Sequence, residues 1–431
     1  MVVLLVACAP GPPALDALRP APTDTAGDGP ALTLTPKTRG HPHLTLGPTE
    51  LWSTAMNDVP EHHATVSFLP DGRLAVAWTW EHYSPQSLAY LRIVDEDGAP
   101  DAPPLLLAQG AHVAKPDVVT DGAGDLVVGY QATDRQALGI DRIDPALGEV
   151  VSTPLAEGRR ASGNNSVALA ALDDDSLVAL WWSSAGVPGE PADNWFRRTV
   201  GDVAAAPVRV ATVDDVGGPA APDLDPVPGA GVAATWSDLS YRPGMDPAAV
   251  VALEVRRFEP GGSASVYRRA VYEAPDTFVV RPELAADAQG RVALVWANLR
   301  DASQRYPTTV SAMIACYDAD GTELLPPTAL SAAPADEPTV QFLDDATVAV
   351  AWNEASSPDR TAVALEILRF PTGRVLVPPT LLSDPAVSAE RASLAARRDP
   401  DGGWVIGVSW EEHGEALPQR EIRGRMAWYA P

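Results

Sequence analysis

In the stretch "DGRLAVAWTW" (Asp71–Trp80) a turn dipeptide leads into alternating apolar residues that stop on an aromatic. The pattern recurs. Aligned on Trp78, "RLAVAW" is followed by "DLVVGY", "SLVALW", "GVAATW", "RVALVW", "TVAVAW" and "VIGVSW", which end on Tyr130, Trp181, Trp236, Trp296, Trp352 and Trp410. The spacings of 52, 51, 55, 60, 56 and 58 residues give a period near 55. Self-similarity at such a period marks one repeat architecture rather than several unrelated domains.

Each copy reads as four strands. A first apolar stretch centres on Val66, Val118, Leu169, Leu224, Leu284 and Val340, each eight residues ahead of the first apolar residue of the aromatic-ending strand. In the seventh copy Leu394 precedes Ile406 by twelve, which lengthens the turn "RRDPDGG". Gly and Asp fill these turns, as positive φ angles and Asx turns require. A third strand follows ("LAYLRIV", "ALGIDRI", "ALEILRF"), then a short Pro-flanked fourth ("PPLLLAQ", "PPTALS"), where the missing amide of proline suits an outer edge. Alternation sends Leu74, Val76 and Trp78 to one face and Ala75 and Ala77 to the other. One uncharged bulky face and one uncharged small face are what a sheet packed between two neighbours needs. The expected fold is therefore all-β: a seven-bladed β-propeller of four-stranded antiparallel blades over residues 42–431. The last copy ends with its third strand, "EIRGRMAWYAP", while "GPTELWSTA" before the first copy reads as a fourth strand lacking the other three. Glu50–Ala55 is expected to pair onto the last blade and close the ring, removing an open edge.

The 431 residues carry 57 acids against 31 bases, a formal charge of -26, and 46% hydrophobic residues. Such a surface repels phosphate backbones and anionic lipid, which argues against nucleic-acid binding. Of the two cysteines, Cys8 closes "LVAC" after an apolar run and resembles the lipobox of bacterial lipoproteins, in which that cysteine is lipidated. Residues 1–8 are short for a signal peptide and lack a basic start, so a start upstream is expected. Cys316, in "SAMIACYDADG", reads as a small apolar residue of a buried strand, without a disulfide. Residues 9–41 are rich in Pro, Ala, Gly and Thr, have no sustained periodicity, and read as a flexible tether.

The repeat, best seen in "KPDVVTDGAGDLVVGY" and "EVRRFEPGG", resembles repeats common in secreted and lipid-anchored bacterial propeller proteins. The resemblance implies the architecture, and an extracytoplasmic, lipid-anchored location in the cell envelope. It does not extend to the Asp boxes of sialidases, which place Ser-x-Asp-x-Gly close before an aromatic. Propellers host many activities, so function must be read from the site.

Turns within each copy alternate between the two ends of the ring. One end receives short turns and the other receives the second-to-third loops and the crossings between blades. Binding residues favour such loops on a rigid scaffold. This long-loop face supplies Trp80, Tyr83, Trp195, Tyr241, Arg242, Arg300, Arg305 and Tyr306, aromatics and arginines suited to sugar or peptide recognition. It also carries His62, His63, His82, His112 and His413, read as loop residues, with Glu61, Glu81, Glu411 and Glu412 in the same segments. Such a set is able to hold a divalent metal, although no HExxH-type spacing supports it and solvated loop residues give the same pattern. No other cofactor is expected. "DEDG", "DADG" and "DPDG" read as turns rather than calcium loops, which need more oxygen ligands. Asp117, Asp223 and Glu283 precede the inner apolar residues and are candidates to ring one mouth of the central channel. The leading expectation is a monomeric protein- or glycan-binding scaffold. The alternatives are a hydrolase or lyase using carboxylates and His on the same face, and a structural part of an envelope assembly.

Overall fold

The computed structural model describes residues 43–431, except 54–60, 81–86, 110–115, 133–136, 146–149, 158–166, 184–192, 201–202, 213–218, 230, 241–247, 260–261, 276–277, 300–309, 332, 358–359 and 415–416. Seven antiparallel sheets, one per sequence repeat, form the seven blades. Their innermost strands are Glu61–Phe68, Asp117–Thr120, Val167–Ala171, Pro219–Val227, Phe278–Ala286, Ala335–Asp344 and Ser388–Arg398. Blade 3 departs slightly, because its outer strand is broken into Val203–Ala204 and Val208–Thr212, both paired with Asp193–Val200.

The repeated strand is the packing unit. Trp78, Val76 and Leu74 of blade 1 pack on Ala395, Val405, Ile422 and Met426 of blade 7. On the opposite face, Ala75 and Ala77 receive Val118, Leu126 and Val128 of blade 2. The same relation recurs around the ring: Trp181 meets Val127 and Ile140 of blade 2, Trp236 meets Ala168 and Leu180 of blade 3, and Trp352 meets Ala293 and Val295 of blade 5. The aromatic-bearing face thus rests on the opposite face of the preceding blade, which is small in most blades and carries Val178 and Leu180 in blade 3, and this fills the space between splayed sheets at interior density. Cys316 lies in the blade 5–6 layer, buried and unpaired.

The turn carboxylates serve the backbone. Asp95 Oδ1 accepts from the amides of Asp97 at 3.0 Å and Ala99 at 2.8 Å, and Gly98 takes the positive φ of 92° that this turn demands.

The ring closes between the chain ends, with one correction of register. The closing strand is Leu44–Leu51, paired with Leu417–Tyr429 from Leu44 opposite Tyr429 to Leu51 opposite Arg423. It ends at Leu51, and Thr54 and Ala55 of the expected span lie outside the described residues. Trp52 and Ser53 leave the ladder, and both amides donate to the Ile422 carbonyl, at 2.9 and 3.2 Å. Trp52 then buries its ring in the seam between blades 7 and 1. Its Nε1 donates to the Gly98 carbonyl at 2.8 Å, and Arg92 Nη1 donates to the Trp52 and Ser53 carbonyls at 3.2 and 3.0 Å.

Several residues expected in loops are strand residues. His62 and His63 lie in Glu61–Phe68, Trp80 ends Leu74–Trp80, Trp195 lies in Asp193–Val200, and Glu411, Glu412 and His413 lie in Trp404–Gly414. The reason is that hairpins continue past the aromatic anchor. In blade 7 the second strand reaches Gly414 and the third begins at Leu417; in blade 6 they reach Ser357 and begin at Arg360. The second-to-third segments "EEHGEALPQ" (411–419) and "EASSPDR" (354–360) are thus mostly paired backbone.

Candidate functional site

The site begins with a repeated backbone irregularity. In five blades the ladder between first and second strands slips just before the inner apolar residue, at His62/Thr65, Ala220/Asp223, Val280/Glu283, Asp336/Thr339 and Glu390/Ser393. Four residues in these slips hold left-handed φ angles: His63 (55°), Arg281 (48°), Glu337 (45°) and Arg391 (56°). A bulge re-aims the side chain it carries, and non-glycine residues in this region are uncommon and cluster at functional sites. All four line the central channel where the first strands begin, at its mouth on the long-loop face.

Beneath this mouth lies the carboxylate set expected from sequence. Asp117, Asp223 and Glu283 occupy the position before the inner apolar residue and line the channel, joined by Asp225. They also stitch blades together. Asp117 Oδ2 accepts from the Leu169 amide of blade 3 at 2.7 Å, Asp223 Oδ2 from the Leu284 amide of blade 5 at 2.7 Å, and Asp225 Oδ2 from the Ala286 amide at 2.6 Å. Innermost strands have no strand partner on the channel side, so their exposed donors need such acceptors. Burial, and then the neighbouring Glu283 charge, push the Asp223 carboxyl well above the usual carboxylate range. Burial pushes Asp225 up to about 7. Thr65, Ser67, Thr120, Gln341 and Ser393 complete a strongly polar wall.

At the mouth, an ion-pair network spans the closing seam. Glu411, fully buried, accepts from the His63 amide at 2.8 Å, from Arg391 Nη1 at 2.9 Å and from Arg420 Nη1 at 2.7 Å, and pairs with His62 Nδ1 at 3.2 Å. Burial alone would raise the Glu411 carboxyl, but the His62 hydrogen bond and the Arg391 charge outweigh it and hold the group well below the usual range. Glu390 joins the network, with His413 Nε2 at 3.0 Å and Arg420 Nη1 at 3.2 Å. Glu337 pairs with Arg281, accepts from the Arg391 amide at 3.1 Å, and accepts from Asn353 Nδ2 at 3.0 Å.

The structure thus brings together His62, His63 and Glu411 across the blade 7–1 seam, as the ring closure required. It divides the histidines between carboxylates, however: His62 meets Glu411 and His413 meets Glu390. Arginines share both acids. Among the described residues no three His, Cys, Asp or Glu side chains converge in a metal-holding group. Trp80 and Trp195 are half-buried, packed against the clusters that contain Trp78 and Trp181. Cys8, Glu81, His82, Tyr83, His112, Tyr241, Arg242, Arg300, Arg305 and Tyr306 lie outside the described residues.

Arg281, Glu337, Arg391, Glu390 and Arg420 were not singled out from sequence. A signal for the first two exists: a residue precedes proline three positions before the inner apolar residue in "KPDV", "APDL", "RPEL" and "EPTV". Arg420 has no such signal, because only the seam places it on Glu411.

No family model matches the chain, and no curated protein matches it by sequence. Its fold is similar to that of a protein of unknown function from Dyadobacter fermentans DSM 18053 (TM-score 0.56, 10% identity, 90% of this chain and 100% of that chain covered). It is also similar to a polysaccharide lyase of family PL25, an ulvan lyase (TM-score 0.58, 10% identity, 86% and 96% covered), and to the haemagglutinin-neuraminidase ectodomain of parainfluenza virus 5 (TM-score 0.51, 10% identity, 90% and 85% covered). At this identity the likeness shows the fold alone, a β-propeller.

Proposed function

We propose that the protein is an extracytoplasmic, lipid-anchored propeller that binds glycan at the long-loop mouth of its central channel. The observation that carries the reading is the channel together with its mouth: a cavity of about 380 Å³, walled by hydroxyl, amide, carboxyl and guanidinium groups. Strained backbone and a buried ion-pair network hold those groups in place before any ligand arrives. The size falls within the range of small-molecule sites, and its polar wall suits a sugar better than an apolar ligand. Anchoring rests on "LVAC" and the Pro/Ala/Gly/Thr-rich segment after it.

A second reading, hydrolysis or lysis of the same glycan, is favoured by Asp223 and Asp225. Carboxyls raised toward neutrality in a cleft are suited to proton transfer. A glycan array on the full chain, followed by a depolymerisation screen of every glycan bound, separates the two. Binding without cleavage supports the scaffold; cleavage abolished in Asp223→Asn supports the enzyme; no glycan bound or cleaved refutes both. For the anchor, Cys8→Ser should move the protein from the membrane to the soluble fraction, and an unchanged distribution removes that part of the proposal.

A further inference from the structure

We infer that the channel mouth seats the anionic group of an acidic saccharide, a sugar bearing a carboxylate or a sulfate, with its hydroxyls turned inward to the carboxyl-lined channel. This rests on the glycan-binding reading and names its ligand class.

The first support is the layering of charge. Over the whole chain acids outnumber bases 57 to 31, yet the mouth inverts the order of presentation. Glu411 is 0% exposed, while the cations around it, Arg391 and Arg420, keep 24% and 28% of their side chains exposed, and Arg281 keeps 32% against 18% for its partner Glu337. In each pair the guanidinium is the more exposed partner. Arg281 and Arg391 also line the channel, beside Glu337, so a group entering from the long-loop face meets their N–H donors at the mouth.

The second support is unused donor capacity. A guanidinium carries five N–H groups in a planar fork that matches a carboxylate or sulfate edge. Arg391 places Nη1 on both Glu411 oxygens, at 2.9 and 3.1 Å, while its buried Nε–H has no acceptor in the structure. An anion edge that meets the Nε and Nη2 side of this guanidinium supplies the missing acceptor.

The third support is the order of chemistry along the channel. His63, Arg281, Glu337 and Arg391 occupy the bulge position at the mouth, three of them basic side chains and one a carboxylate, and Asp117, Asp223 and Glu283 lie two positions deeper in their strands. A ligand that presents one acid group outward and hydroxyl donors inward meets Arg281 and Arg391 at the first level and carboxyls at the second. A neutral sugar makes no ion pair with either arginine, and a bare inorganic anion leaves the deeper carboxyls unmatched. A folded protein surface cannot enter a recess of about 380 Å³ enclosed by seven strands, whereas a chain end can.

The test uses the full chain and short oligosaccharides that end in a uronic acid, in a sulfated sugar, or in the neutral parent sugar, with a short polyglutamate peptide as a second anion, measured by calorimetry. The expected result is that at least one acidic saccharide binds at least about tenfold more tightly than its neutral parent, equivalent to about 1.4 kcal/mol. Arg281→Gln should remove that preference, read as the ratio of acidic to neutral affinity. Arg391→Gln should do the same provided that it folds, which its melting curve reports; Arg281→Gln leaves Glu411 paired and keeps the test decisive. Preference for the uronate alone or the sulfate alone supports the inference and identifies the group. Equal binding of neutral and acidic sugars, or a preference that survives Arg281→Gln, overturns the inference and leaves glycan binding standing. Polyglutamate binding as tightly as the acidic sugars overturns the saccharide assignment. If no saccharide binds, the function proposed above falls with it.

Discussion

Trp52 and Gly424 form one structural unit, and their energies should not add. Trp52 is fully buried in the seam, and a Cβ built on Gly424 would lie 2.1, 2.2 and 2.3 Å from its Cε3, Cζ3 and Cδ2 atoms. Trp52→Ala removes a large ring from a closed site, which costs about 3–5 kcal/mol. Losing the Nε1 hydrogen bond to the Gly98 carbonyl adds about 1 kcal/mol. A propeller of this length unfolds with an entropy of roughly 0.8 kcal/mol/K, at about 2.1 cal/mol/K per residue, so Tm should fall by about 5–7 °C. Gly424→Ala needs no positive φ and is penalised only by the clash, about 1–3 kcal/mol for overpacking a rigid ring. In the Trp52→Ala background the obstacle is gone, and the added methyl fills part of the cavity. The double variant should therefore be no less stable than Trp52→Ala alone, giving a coupling of about 1–3 kcal/mol. Denaturant melts of the four proteins measure this. Additivity within about 0.5 kcal/mol would refute the closure as described, because residues that do not touch behave that way.

Three further outcomes follow from the channel and the core. Asp117→Ala should destabilise by about 1–3 kcal/mol by stranding the Leu169 amide, with faster hydrogen exchange there and partial rescue in Asp117→Asn; unchanged exchange would remove the stitching role. Glu411 has a folded pKa held well below its unfolded value of 4.5, so its contribution is full above about pH 4.5 and is lost as pH falls through the folded pKa. Glu411→Gln should thus be less stable than the parent at pH 7, with the gap closing on acidification; a gap independent of pH between 7 and 2 would count against the ion-pair account. Burial pushes the Cys316 thiol up to about 12, so it should resist a thiol reagent at pH 8 in the native protein and react once unfolded. Rapid native labelling would contradict its place between blades 5 and 6.

The residues visible in the sequence were those whose role repeats. A period near 55 residues, an aromatic at the end of each second strand and a large-small alternation are local properties, and together they specify blades, their number and the face each presents to its neighbour. The missing fourth strand of the last copy also disclosed the ring closure, although not its register. Leu44–Leu51 pairs there because Trp52 turns out of the ladder into the seam, an event that needs Gly424 and Gly98 beside it. His62, His63 and His413 lie in strands rather than loops, because the hairpins continue past the aromatic at which the repeat pattern stops.

The candidate site was legible only in part, for a physical reason. Asp117, Asp223 and Glu283 stood out because they occupy a fixed place in the repeat, and the channel wall received them. Arg391, Arg420 and Glu411 do not repeat: they belong to one blade and act because ring closure brings it against His62 and His63 of another, 329 residues away for Arg391 and His62. The sequence by itself determined the blade, because strand pairing and face packing depend on residues close along the chain. Only the tertiary structure decided the mouth, because its charges become neighbours when the first and last blades meet, and burial beneath that seam sets which acids are covered and which cations remain open.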